Sequence, residues 1–186
     1  MSHSSDSRTP REIVRPLLKA RQVREFTDEP VSDAQLDALT EVARWSGSSR
    51  NEQPWRFIVV RDEDVLRRLW QAGVPQTRSM ETAMAAIAIA LPADQARAIS
   101  DAYDDGRVAE RILIAANMLE LGAAIAWIRS DVLGDARQLL GLPEDRMVRT
   151  IVALGHPTDT ARQPRAAKGT ARIAKSELVS DERWSG

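Results

Sequence analysis

A layered α/β or α+β fold is what this chain predicts, and three observations predict it. Four apolar runs of strand length alternate with five segments that carry helix caps or helical spacing, without internal repeats. The 186 residues, 43% of them apolar, suit one domain with a sizeable core. No Cys is present, so neither a disulfide framework nor a thiolate-held metal can hold the chain together.

The elements follow in order. Thr9, Pro10 and Glu12 form a T-x-x-E capping box with Pro at the first helical position. The helix they open runs through Ile13, Leu17 and Leu18, kinks at Pro16 and ends near Arg21. A second capping box, Ser32 to Gln35, opens a helix with Leu36, Leu39, Val42 and Ala43 on one face. Phe57 to Val60 is a short apolar run between Pro54 and the charged Arg61-Asp62, which predicts a buried strand. Val65, Leu66, Leu69 and Trp70 mark another amphipathic helix.

Ala83 to Leu91 is almost wholly apolar and stopped by Pro92, and so predicts a central strand despite its alanines. The core helix is predicted over Arg107 to Leu121, with Val108, Ile112, Ala115, Ala116 and Leu119 on one face and Gly122 as the residue that ends it. Ala123 to Ile128 and Met147 to Leu154 read as two more buried strands. The helix Val132 to Leu140 lies between them and is closed by Gly141. Residues 1–8 are Ser-rich and polar, a disordered terminus. Residues 9–160 form the single domain, and residues 161–186, poor in large apolar groups until Leu178, Val179 and Trp184, form an arm that wraps over something else.

Charge and composition narrow the function. The balance of 26 Lys plus Arg against 27 Asp plus Glu gives no overall pull toward nucleic acid or membrane. The arm places Arg162, Arg165, Lys168, Arg172 and Lys175 together without an acid, but no aromatics interleave with them, which argues against a nucleic-acid arm. No apolar run reaches the ~20 residues that span a bilayer, and a cytoplasmic location is the default. Two His leave almost nothing for an imidazole metal cluster, and His156, between Gly155 and Pro157, reads as a turn residue. G-x-G-x-x-G, G-x-x-x-x-G-K-[ST] and G-x-S-x-G are all missing.

Two segments can carry chemistry. Arg21-Gln22-Val23-Arg24-Glu25-Phe26 follows a helix end. In extended chain Gln22 and Arg24 face one way, and Arg21 could reach round to the same ligand. The competing reading is a solvated charge cluster. Trp45-Ser46-Gly47-Ser48-Ser49-Arg50-Asn51-Glu52-Gln53-Pro54-Trp55 concentrates hydroxyls, amides and two indoles between a helix and a strand. Such groups suit a polyhydroxyl chain or a heteroaromatic edge, although a polar turn with Trp55 plugging the core fits them equally.

The two segments together resemble the FMN-dependent nitroreductase family, whose pattern is RRSVRxF followed by a-P-S-S-x-N-x-Q-P-W-x-F. Asn117 to Gly122 resembles its central helix ending in L-G-L-G, and Ala153-Leu154-Gly155-His156-Pro157 its A-L-G-Y-P. Glu177-Leu178-Val179 with Glu182-Arg183-Trp184 resembles its closing E-L-V-x-x-E-R-W, so the likeness runs from about residue 11 to the C terminus.

The resemblance implies a nitroreductase-like layered fold, with a mixed central sheet flanked by helices, in an intertwined homodimer that exchanges C-terminal arms. It also implies an FMN site at the subunit interface. Arg21, Gln22 and Arg24 match the phosphate-and-flavin segment, and Gly47, Ser48, Ser49 and Asn51 the loop that reaches the flavin from the partner subunit. Ile128, Arg129 and Ser130 match the segment whose backbone faces the flavin edge near N5. Arg172, with Lys168 beside it, matches the basic position on the FMN phosphate. The implied activity is a ping-pong cycle in which NAD(P)H reduces FMN and a small-molecule acceptor, such as a nitroaromatic or quinone, reoxidises it. The alternative is a non-catalytic protein that binds or sequesters flavin. The chain departs from the pattern at Ala20 and Gln22, where the family has Arg and Ser, and at Arg129, whose side chain would narrow the substrate space.

Overall fold

The computed structural model describes residues 8–163 and 172–184. Both predicted capping boxes form. The Thr9 hydroxyl accepts from the Glu12 backbone while the Glu12 carboxylate accepts from the Thr9 N–H at 2.7 Å, and Ser32 and Gln35 do the same for the next long helix. Pro16 does more than bend the first helix: α1 (Pro10–Ile13) and α2 (Arg15–Lys19) are separate turns that meet at Val14. α3 spans Asp33–Arg44, β1 Arg56–Val60, α4 Glu63–Gly73 and β2 Ala85–Pro92. After these come α5 (Ala98–Met118), β3 (Gly122–Trp127), α6 (Leu133–Leu139) and β4 (Arg146–Gly155), then the short α7 (Asp159–Arg162) and α8 (Lys175–Leu178).

The strands form one sheet in the order β1-β2-β4-β3, with β2 central as predicted. The fold class stands, but every pairing among the described residues is antiparallel where a mixed sheet was expected. The connections explain the difference. α4 carries the chain back along β1, and residues 74–84 then return it to the end where β1 stopped, so β2 enters against β1.

Each face of the sheet builds its own core. Along β2 the alternation sends Ala86, Ala88 and Ala90 toward α4 and α6, and Ala85, Ile87, Ile89 and Leu91 toward α3 and α5. Leu39, Leu69, Ile87, Ile89 and Ile112 are fully buried, each worth about 1.5–3 kcal/mol of transfer free energy.

Two departures from the sequence reading bear on the site. α5 begins at Ala98, nine residues before the predicted Arg107, because its first half buries Asp101, Asp104 and Asp105 where an apolar face was sought. At its other end Glu120, not Gly122, takes the left-handed turn, at φ 61°, and the Leu121 N–H reaches back to the Ala116 carbonyl. Gly122 is needed for a different reason: a Cβ there would lie 2.8 Å from Val23 Cγ1 and 2.9 Å from Phe26 Cε1. Gly155 makes the same allowance, with Phe26 Cβ and Cγ each 2.7 Å from the position its Cβ would take. These two glycines let residues 20–26 lie directly across the ends of β3 and β4. There the Val23 N–H donates to the Ala123 carbonyl at 2.8 Å and Phe26 bridges Pro157.

Candidate functional site

The segment laid over those glycines places the first group of candidate residues at the free edge of β3. The Gln22 side-chain Oε1 accepts from the Ile125 N–H at 3.3 Å and from Arg24 Nη2 at 2.8 Å, so the two side chains share one side, as extended chain requires. Arg21 does not join them. Its guanidinium donates to the Ala161 carbonyl and, with Val23, Asn117, Glu120, Pro157 and Arg162, lines a separate open cavity of about 280 Å³.

Further along β3, the Ile128 N–H donates to the Arg149 carbonyl at 2.8 Å. Ladder alternation then directs the N–H groups of Ile125, Trp127 and Arg129 away from β4, toward the open edge. The Arg129 side chain is folded clear of that edge. Its Nε and Nη2 grip both oxygens of Asp131 at 3.0 and 2.8 Å, and Nη1 donates to the Val74 carbonyl at 2.8 Å. The expected narrowing by this side chain gives way to a tether onto the turn after α4. Ser130 is exposed, with its hydroxyl 3.2 Å from Arg149 Nη1.

The polar loop between α3 and β1 is a built structure. Arg50, Asn51 and Gln53 all have positive φ, at 53°, 57° and 48°. Ser48 organises them: its carbonyl accepts from Asn51 N–H at 3.1 Å and its hydroxyl from Gln53 N–H at 2.9 Å. A ladder of side chains along α5 then fastens the loop. Arg111 donates to the Trp45 carbonyl at 3.0 Å and Arg107 to the Gly47 carbonyl at 2.8 Å. Asp104, buried, accepts the Ser49 N–H at 3.0 Å, and Arg97 pairs with Glu52, holding that carboxyl below its usual range. The sequence reading missed these four partners. Their spacing, a polar stripe at 97, 104, 107 and 111, would have exposed them had the helix been extended upstream.

One more acid lies beneath this helix. Asp105 accepts a hydrogen bond from the Thr150 hydroxyl at 2.7 Å, while its other oxygen is buried without a partner. Burial pushes its pKa up to about 6, against the opposing pull of Thr150 and Arg149.

The two groups of candidate residues sit at opposite edges of the sheet. The loop precedes β1, whereas Gln22, Arg24 and residues 128–130 follow the edge of β3, three strand spacings or about 14 Å away. On the arm, Arg172 is exposed and Lys168 lies outside the described residues. Trp184 is 87% exposed, and Ile173, Leu178 and Val179 are exposed with it. No helix among the described residues is long and apolar enough to cross a membrane.

Known proteins share both sequence and fold. The nitroreductase family model matches residues 17–90. A protein of Archaeoglobus fulgidus, provisionally named an NADH dehydrogenase/NAD(P)H nitroreductase, is 31% identical over 154 residues, covering 80% of this chain and 87% of its own. The FMN reductase [NAD(P)H] of Bacillus subtilis is 26% identical over 92% of this chain and 76% of its own. Among solved structures, an FMN-dependent nitroreductase of Clostridium difficile superposes with a TM-score of 0.76 at 23% identity, covering 91% of this chain and 98% of that one. Motif order, fold and a relative matched across most of its length agree: this chain belongs to the nitroreductase family.

Proposed function

We propose that the protein is an NAD(P)H-dependent flavin oxidoreductase that holds FMN and reduces nitroaromatic, quinone or similar electron-poor acceptors. FMN supplies the hydride and electron transfer, for which a chain without Cys and without an acid–base dyad has no side chain of its own. The residues present suit such a group. Gln22 and Arg24 offer an amide and a guanidinium side by side, and the outward N–H of Arg129 offers a backbone donor on the same strand edge. Arg24 would offer a positive charge to the flavin edge on which electron density accumulates on reduction. Gly47, Ser48, Ser49 and Asn51 present a loop already held in shape, and Arg172 with Lys168 supplies cations for the phosphate. Arg21, turned toward Ala161, contributes from the far side if the arm closes there.

The observation that carries this reading is the separation of the two groups across the sheet. The separation supports a site shared between two chains: a homodimer in which the domain of residues 9–160 carries half of each site and the arm of residues 161–186 packs on the partner. The exposed apolar groups of α1, α2, α5 and the arm support that assembly. A cytoplasmic location accords with a soluble nicotinamide reductant.

Mixed dimers test it. Arg24→Ala and Asn51→Ala homodimers should each lose FMN, whereas a co-expressed mixed dimer should regain one flavin per two chains, because one of its sites is wild type throughout. Absence of a flavin absorption band after incubation of the wild-type protein with FMN overturns the reading. A yellow protein that neither NADH nor NADPH bleaches anaerobically is a flavin-holding protein instead.

A further inference from the structure

Trp45 is a large apolar side chain left 66% exposed, yet it is fixed in place. Its Nε1 donates to Glu41 at 2.6 Å, and the Arg44 guanidinium lies 5.0 Å from the ring centroid. Glu41 in turn grips Arg44 through both oxygens, at 2.7 and 2.6 Å. Three side chains thus form one clamp, with the cation over the indole. Neither the fold nor the expected flavin contacts use the ring. It lies outside both hydrophobic cores, and it precedes the loop residues assigned to FMN.

Two further cations stand beside it. Arg111 reaches the Trp45 carbonyl and Arg107 the Gly47 carbonyl, each through one nitrogen, which leaves the rest of each exposed guanidinium to bind elsewhere. Among the described residues Arg111 makes no ion pair, and Arg107 has only Asp104, at 3.5 Å. Asp104 also accepts the Ser49 N–H. A rigid indole, an exposed guanidinium without an ion pair among the described residues (Arg111) and a second exposed one with a single acidic neighbour (Arg107) therefore occupy one end of the loop's track along α5. That track runs from Arg97 to Arg111, about four turns or roughly 21 Å.

We propose that Trp45, Arg107 and Arg111 form the docking site for the adenosine end of the pyridine nucleotide. In this site the indole stacks on the adenine and the two guanidiniums take the ribose 2′-phosphate, so that the protein prefers NADPH to NADH. This rests on the oxidoreductase reading and specifies its reductant. A flat purine matches an aromatic surface already immobilised, so stacking costs little side-chain entropy. A phosphate dianion matches planar forked donors better than a neutral hydroxyl does. The loop joins the two chemistries, because its Gly47 to Asn51 stretch is the part that meets the flavin.

The test is a calorimetric titration of the purified dimer with adenosine 2′,5′-bisphosphate and, separately, with adenosine 5′-monophosphate. Neither ligand carries a nicotinamide, so the readout does not depend on turnover or on bound flavin. The wild type should bind the bisphosphate at least tenfold more tightly. Trp45→Leu should weaken both ligands about tenfold, and Trp45→Phe should restore most of that loss. Arg107→Gln combined with Arg111→Gln should remove the preference, while the monophosphate affinity falls by less than the tenfold lost in Trp45→Leu because Glu41 and Arg44 still hold the indole. Unchanged affinity in Trp45→Leu overturns the proposal, as does a bisphosphate preference that survives the double substitution. If Trp45→Leu instead raises the dimer dissociation constant in sedimentation and leaves nucleotide affinity alone, the indole belongs to the subunit contact and the proposal is wrong. A protein that binds the bisphosphate as described but takes up no FMN would fail the functional reading while keeping this site.

Discussion

The loop before β1 and the edge of β3 carry polar groups at opposite edges of the sheet, and they treat them differently. In the loop nearly every group is already bonded: Ser48 to Asn51 and Gln53, Asp104 to Ser49, Arg107 to Gly47, Arg111 to Trp45. Along β3 the donors beyond Gln22 point away from β4, outward from the sheet. The loop is a finished part offered to another molecule, and the strand edge is a receptacle that waits for one.

The contrast can be broken most severely at the receptacle. Gly155→Val should abolish the placement of residues 20–26, because Phe26 already lies 2.7 Å from where a Cβ would stand. The expected outcome is a loss of at least about 3 kcal/mol in chemical denaturation, or no soluble protein. Arg24→Ala leaves the backbone alone and should weaken FMN by roughly 10–100-fold in fluorescence titration, since a hydrogen bond to a charged group contributes about 1.5–3 kcal/mol. On the loop side, Asp104→Ala frees the Ser49 N–H. It should cost about 1–3 kcal/mol of stability and raise the KM for the acceptor more than it lowers kcat.

Asp105→Asn sharpens the comparison by testing the helix that carries the loop. Because the folded-state pKa of Asp105 is raised to about 6, its contribution to stability is present at low pH and is lost as pH climbs from about 4 through 6. The wild type should therefore lose up to about 3 kcal/mol over that window from this group, a loss that calorimetric scans of Asp105→Asn should not show. The smallest effect is expected at Arg129→Ala. Its side chain serves Asp131 and Val74, so flavin affinity should stay within about twofold and stability within about 1 kcal/mol.

Much of this was legible in the chain, for reasons that local physics supplies. Thr9, Ser32 and Gly141 announce helix ends through cap chemistry that depends on neighbouring residues alone, and each does what its type predicts. The run from Ala85 to Leu91 declares a strand buried on both faces. What stayed hidden depends on distant partners. Asp101, Asp104 and Asp105 look like solvent-facing residues until Arg97, the Ser49 N–H and Thr150 are seen to bond one oxygen or more of each, and so half of α5 went unread. Gly122 looked like a helix stop because its true neighbours, Val23 and Phe26, are about a hundred positions away in the chain. Gln22 and Arg24 were correctly paired by the two-residue period of extended chain, and the same period is what sends Arg21 to the other side.

The ladder from Arg97 to Arg111 also acts as a ruler. Inserting one residue into that half of α5 would turn everything beyond it by about 100° and carry Arg107 and Arg111 off the loop carbonyls they hold. The stretch between β2 and α5 lies outside that ladder, whereas within it even a whole added turn would carry Arg107 and Arg111 about 5.4 Å along the axis from those carbonyls. An alignment of relatives should show gaps crowding before residue 97 and none between 97 and 111.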